Sequence, residues 1–102
     1  MQEAEQCDTG VNMEYQINRA RVIGHYATDK NALIQENQRL LDESTTEFTR
    51  DSNRYALSVA YYENEDYAIA SRILAPLLEK EPNRISYVVT QAEILTEQNE
   101  SG

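Results

Sequence analysis

Residues 51–84 read DSNRYALSVAYYENEDYAIASRILAPLLEKEPNR, and this stretch decides the fold. It holds two apolar stripes at helical spacing. The first contains Leu57 and Tyr61, and the second contains Tyr67, Ala70, Ile73, Leu74, Leu77 and Leu78. Asn64 to Asp66 breaks the run between them, so the stretch predicts an antiparallel helix hairpin. Ser58 and Ala70 are small where two such helices would approach most closely, with Leu57, Tyr61 and Leu74 filling the seam around that contact. Pro82 ends the second helix because it has no N–H to donate.

With Asp51 counted as position 1, Leu57 falls at 7, Ser58 at 8, Tyr61 at 11, Ala70 at 20, Leu74 at 24 and Pro82 at 32. That order of residue types resembles one 34-residue tetratricopeptide repeat. Arg54 at position 4 and Leu77 at position 27 depart from it. A plain αα-hairpin would share the apolar stripe but has no reason to share the punctuation. Shifted back by one repeat, Ile23-Gly24 falls on Leu57-Ser58 and Leu40 on Leu74, but Glu36 falls on Ala70; this pair is degenerate. Shifted forward, Ala92 and Leu95 take positions 8 and 11 while Gln91 takes the apolar position 7, giving half a repeat.

The resemblance implies an all-α fold, a right-handed α-α superhelix of about five helices near 13–27, 30–43, 47–63, 66–80 and 84–98. Expected caps are Asp29, Ser44 (in a capping box with Glu47), Asn64 or Asp66, and Asn83. The domain would occupy 13–98, divided into a degenerate pair 13–43, a clear repeat 51–84 and a half repeat 85–98. Residues 1–12 read as a disordered lead and 99–102 as a tail. Residues 85–90, ISYVVT, are β-branched, yet the repeat spacing demands a helix there.

The chain has 102 residues, enough for one domain. Few Gly and Pro, no Trp and seven Tyr suit helices with tyrosine-rich packing. A net charge of −9, spread along the chain, opposes binding to phosphate backbones. No apolar run approaches the roughly 20 residues that span a bilayer, and the polar start is unlike a secretory signal. Cys7 is the lone cysteine and reads as an exposed free thiol; His25 is the lone histidine and reads as structural. Together they are too few for a zinc site, and no nucleophile turn or phosphate loop occurs, so neither catalytic residues nor a cofactor are expected in this chain.

What remains is a surface for protein partners. The first helix of each repeat lines the concave face of such arrays, and positions 2, 5, 9, 12 and 13 name Ser52, Tyr55, Val59, Tyr62 and Glu63. In the half repeat they name Ser86, Val89, Glu93, Thr96 and Glu97. The expected groove therefore comprises Tyr55, Val59, Tyr62, Glu63, Ser86, Val89 and Glu93, an aromatic-aliphatic strip flanked by acids. Core packing is the alternative for Tyr55 and Tyr62. Self-association through the last helix is a further expectation.

Residues 15–23, YQINRARVI, with Arg54-Tyr55-Ala56-Leu57, Asp66-Tyr67, Ile73 to Leu78 (ILAPLL) and Glu81-Pro82-Asn83, also carry a narrower likeness. They resemble the C-terminal region of bacterial periplasmic zinc metallopeptidases of the β-barrel assembly-enhancing type, where a tetratricopeptide array follows the protease domain. Pro76, inside a helix, is the most particular of these residues. The family's His-Glu-x-x-His motif has no counterpart here, so no catalytic or zinc role carries over. The resemblance implies the interaction module of a longer periplasmic protease, with zinc held elsewhere in the parent. Its partners would be outer-membrane assembly factors or the parent's own protease domain. A free-standing repeat adaptor or assembly chaperone is the alternative.

Overall fold

The helical period overrides β-propensity at residues 85–90. Tyr87, Thr90 and Ile94 are buried on one side, while Ile85, Val88 and Val89 are exposed on the other. Three- and four-residue spacing of this kind buries one face of a helix and cannot bury one face of a strand. The computed structural model of the protein describes residues 9–101, among which there are five helices and no strand. They are α1 (Thr9–Tyr26), α2 (Lys30–Asp42), α3 (Glu47–Glu63), α4 (Tyr67–Lys80) and α5 (Ile85–Ser101).

The ends of the helices show which local chemistry wins. Asp29 caps α2 as expected, its Oδ1 accepting from the Ala32 N–H at 3.0 Å. The cap of α3 is Thr46, whose Oγ1 accepts from the Thr49 N–H at 3.1 Å, and not Ser44. Ser44 is engaged elsewhere: its hydroxyl donates to Leu40 O at the end of α2 and accepts from Asn53 Nδ2. The α3–α4 turn closes with Glu65 N–H donating to Tyr62 O and Asp66 N–H to Tyr61 O, at 3.0 and 2.9 Å. This pair of bonds needs a left-handed residue after the cap, and Glu65 takes that conformation with φ 67°. Asp66 is the α4 N-cap by position but makes no side-chain capping bond. Helix α5 starts at Ile85, past Asn83. Helix α1 begins at Thr9, inside the expected lead, and α5 continues to Ser101, inside the expected tail. Gly10 is tolerated because the first turn has no intrahelical N–H bonds to lose. The expectations for Cys7 and for the rest of the lead fall on residues outside those described.

Helix α3 is the centre of the packing, lying against α1, α2 and α4, while α4 also packs on α5. Its sequence is apolar on more than one side for this reason. Toward α2, Leu57 and Ala60 meet Ile34, with Leu33, Leu41, Tyr61 and Ile73 around them. Toward α4, Ser58 and Ala70 are both fully buried, and Ser58 Oγ donates to Ala70 O at 3.0 Å. A larger side chain at either position would hold the helices apart. Tyr55 and Val59 belong to a second cluster with Met13, Ile17, Ala20, Leu74, Leu77, Tyr87 and Ile94.

The first helix is where the arrangement departs from a run of simple hairpins. Helix α1 packs on α3 and hardly at all on α2, its neighbour in sequence. Its buried row is Met13, Ile17, Ala20 and Gly24, whereas Ile23, placed in the seam by the repeat count, is 39% exposed.

Candidate partner-binding groove

Helices α3 and α5 present facing side chains that hold a helix between them. Tyr55 of α3 and Tyr87 of α5 stack at 5.7 Å between centroids, forming the floor with Val59 and Ile94. Met13, Ile17 and Ala20 of α1 join this floor, one residue per turn. Gly24 continues the row: a Cβ there would stand 2.7 Å from Val59 Cγ1, so the backbone of α1 sits directly against Val59 at this point.

Two polar clamps hold the middle of α1, seven residues apart. At the first, Glu14 Oε2 accepts from Arg84 Nη1 at 2.5 Å and Glu14 Oε1 from the Ser86 hydroxyl at 2.6 Å. The Ser86 hydroxyl and the Arg84 guanidinium hold the Glu14 carboxyl below its usual value, against a smaller opposing effect of burial. At the second, Arg21 Nη2 reaches both carboxylate oxygens of Glu93 at 3.1 and 3.2 Å, and Nη1 donates to Thr90 Oγ1 at 3.0 Å.

Thr90 settles the direction of the bond beneath the second clamp. Its single proton goes to Ser86 O at 2.8 Å, so the Tyr55 hydroxyl, 2.6 Å away, donates to Thr90 Oγ1. Burial raises the Tyr55 phenol above its ordinary value, opposed by these hydrogen bonds. The clamp thus reaches the core through one hydroxyl.

The seven groove residues expected from the sequence fall into three environments. Tyr55 and Val59 are buried beneath α1, Tyr55 completely. Ser86 and Glu93 are half-buried and bonded to α1. Tyr62 and Glu63 are half-buried at the rim, and Val89 is exposed. The core alternative therefore holds for Tyr55 in this structure, while Tyr62 packs partly on the same core and edge-on against Tyr67 at 5.7 Å, and also lines the cleft beside α1. Sequence reasoning missed Glu14, Arg21 and Thr90. The acid-to-base order of Glu14 and Arg21, opposite to Arg84 and Glu93, was the available signal.

Past Arg21, a cleft of about 280 Å³ opens where α1 leaves the groove. Val22, Tyr26, Tyr62 and Glu63 line it, with His25 and the Arg21–Glu93 pair at its edges. Burial, then the carboxylates of Glu93, Glu97 and Glu63, raise the Tyr62 phenol above its ordinary value. His25 packs edge-on against Tyr26 at 4.8 Å. Among the described residues no group of three or more His, Cys, Asp or Glu stands close enough to hold a metal ion. No helix among those described is long and apolar enough to cross a membrane.

A helical module with an aromatic, acid-rimmed groove is the class that these features define. The chain is similar to the beta-barrel assembly-enhancing protease of Yersinia pestis, with 30% identity over 95 residues. That match covers 91% of this chain and 19% of the protease, so the chain spans under a fifth of that relative's length. No family model matches the sequence. No solved structure matches it either.

Proposed function

We propose that this chain is a protein-interaction module, the tetratricopeptide-like part of a bacterial zinc metallopeptidase of the β-barrel assembly-enhancing type. It acts in the periplasm and presents segments of outer-membrane assembly partners, or of the parent's own protease domain, to the catalytic site. The observation that carries this reading is the rim of the groove, where Tyr62, Glu63, Tyr26 and Val22 offer apolar and aromatic surface beside uncompensated acid. Tyrosine gives broad contact area at small entropic cost and a hydroxyl for a peptide backbone. Glu63 forms no ion pair among the described residues, so the cleft favours segments that bring a cation. The likeness to the Yersinia pestis protease supports the parent assignment, and the 34-residue spacing with its buried Ser58 and Ala70 supports the repeat assignment.

The test is peptide display against the intact chain, followed by affinity measurement on Tyr62→Ala with Glu63→Lys. Enriched segments should be basic or neutral, and the double variant should bind them about tenfold or more weakly, since anchors of this kind contribute ~1–4 kcal/mol. Added salt should weaken the charged share. No enrichment, or equal binding by the variant, would sink the reading.

A further inference from the structure

We infer that the α3–α5 groove is a receptor for the α1 helix as such, and that it accepts α1 from a second copy of this chain, giving a dimer by reciprocal exchange. This rests on the reading of the concave face as a binding surface and names an occupant for it. The resident helix supplies the recognition pattern: apolar residues at Met13, Ile17 and Ala20, no side chain at Gly24, an acid at Glu14 and a base at Arg21. The groove answers each one, with Tyr55, Val59, Tyr87 and Ile94 as floor and with Arg84 and Glu93 as clamps of opposite sign.

Three observations favour a second copy as the source. Helix α1 packs on α3 and hardly on α2, so it leaves as a unit without unpacking its neighbour in sequence. Between α1 and α2 lie Ala27, Thr28 and Asp29, a three-residue connection. That connection is held chiefly by the Ala27 N–H to Ile23 O bond and by Lys30 Nζ on Gly24 O and His25 O. Whatever α1 touches in its own groove it touches again in the groove of the second copy, so only the hinge differs between the two forms. Short hinges also favour exchange, because they limit how α1 can fold back.

The experiment uses two full-length variants. One reverses the helix clamps, Glu14→Arg with Arg21→Glu; the other reverses the groove clamps, Arg84→Glu with Glu93→Arg. Each alone places like charges at both ends of its own groove. Mixed, each α1 meets the opposite charges at both clamps of the other chain's groove. After co-refolding at equal concentration, light scattering should find a 1:1 heterodimer, with a melting temperature above that of either variant alone. The chain carrying all four substitutions should instead recover wild-type melting, which checks that the reversed clamps are tolerated. A mixture that stays monomeric while the fourfold variant is native-like overturns the inference. If such a mixture still binds the displayed peptides through Tyr62, exchange alone has failed and the interaction reading stands. Because Arg84 also bonds Glu81, all of these variants carry Glu81→Gln so that a glutamate at 84 meets no neighbouring acid; in that background a fourfold variant that fails to recover also overturns the inference.

Discussion

Gly24→Ala weighs two effects of opposite sign, and the structure says which prevails. Alanine is favoured over glycine by about 0.8–1 kcal/mol in a helix interior, and by less in the last turn, where Gly24 sits. Against this, the new Cβ would lie 2.7 Å from Val59 Cγ1 and 3.4 Å from Glu63 Cγ. Carbon atoms prefer about 3.5–4 Å, so either α1 lifts or Val59 turns. Val59 is 4% exposed, and as a β-branched residue in a helix it has one strongly preferred rotamer, so it yields poorly. Lifting α1 strains the Arg21 clamp one turn away. Overpacking of this kind costs about 1–3 kcal/mol, leaving a net destabilisation of roughly 0.5–2 kcal/mol after the propensity gain. In a domain of this size that lowers the melting point by about 2–16 °C. Thermal unfolding followed by circular dichroism measures it. Adding Val59→Ala removes the obstructing methyl groups, so the double variant should show a favourable coupling of about 1 kcal/mol relative to the two single changes. A Gly24→Ala chain that melts higher than wild type would refute the seating of α1 on Val59.

Two other positions give independent checks. Glu65 holds the left-handed site after α3 that glycine fills at no steric cost, so Glu65→Gly should raise stability by about 0.5–2 kcal/mol in denaturant titration. The Tyr87 hydroxyl is buried without a hydrogen-bond partner among the described residues, and Tyr87→Phe should leave neutral-pH stability unchanged or raise it by up to about 1 kcal/mol. Burial, aided by the Glu81 carboxylate, also pushes the Tyr87 phenol up to about 12. An unfolded tyrosine releases its proton near pH 10. Between those values the folded chain keeps a proton that the unfolded chain has lost, so this contribution is complete below pH 10 and disappears as pH rises toward 12. Unfolding curves across that window should therefore decline less steeply for Tyr87→Phe than for wild type.

Most of the fold was legible because burial follows spacing. Ser58 and Ala70 meet at the hairpin seam as read, while Leu57 and Leu74, read as flanking that contact, are buried in different clusters, Leu57 against Ile34 of α2; the helical burial of Tyr87, Thr90 and Ile94 overrode a β-branched run. Boundaries were less legible where two candidates compete for one end. Ser44 and Thr46 both look like caps, and only the position of Leu40 O and Asn53 decides which is free to cap α3. The turn itself was read at Asn64 to Asp66, but the left-handed backbone of Glu65 within it had no sequence signal, since it is imposed by the two bonds closing α3.

The groove shows a different limit. Repeat counting can name the side chains on a concave face, because that depends on position within a helix. It cannot say what lies on that face, because that depends on a helix from another part of the chain. Tyr55 was assigned by count to a surface and is fully buried, because α1 lies across it. The chemistry of the count nonetheless carries over: the aromatic-aliphatic strip and flanking acid expected to hold a partner hold Met13, Ile17 and Arg21 instead. The connection through Ala27 to Asp29 keeps α1 at high local concentration beside this face. Any outside segment must then compete with α1 for the floor, or bind at the rim beside it. Tyr62, Glu63 and Tyr26 line the cleft beside α1, the part of the face that this helix leaves uncovered.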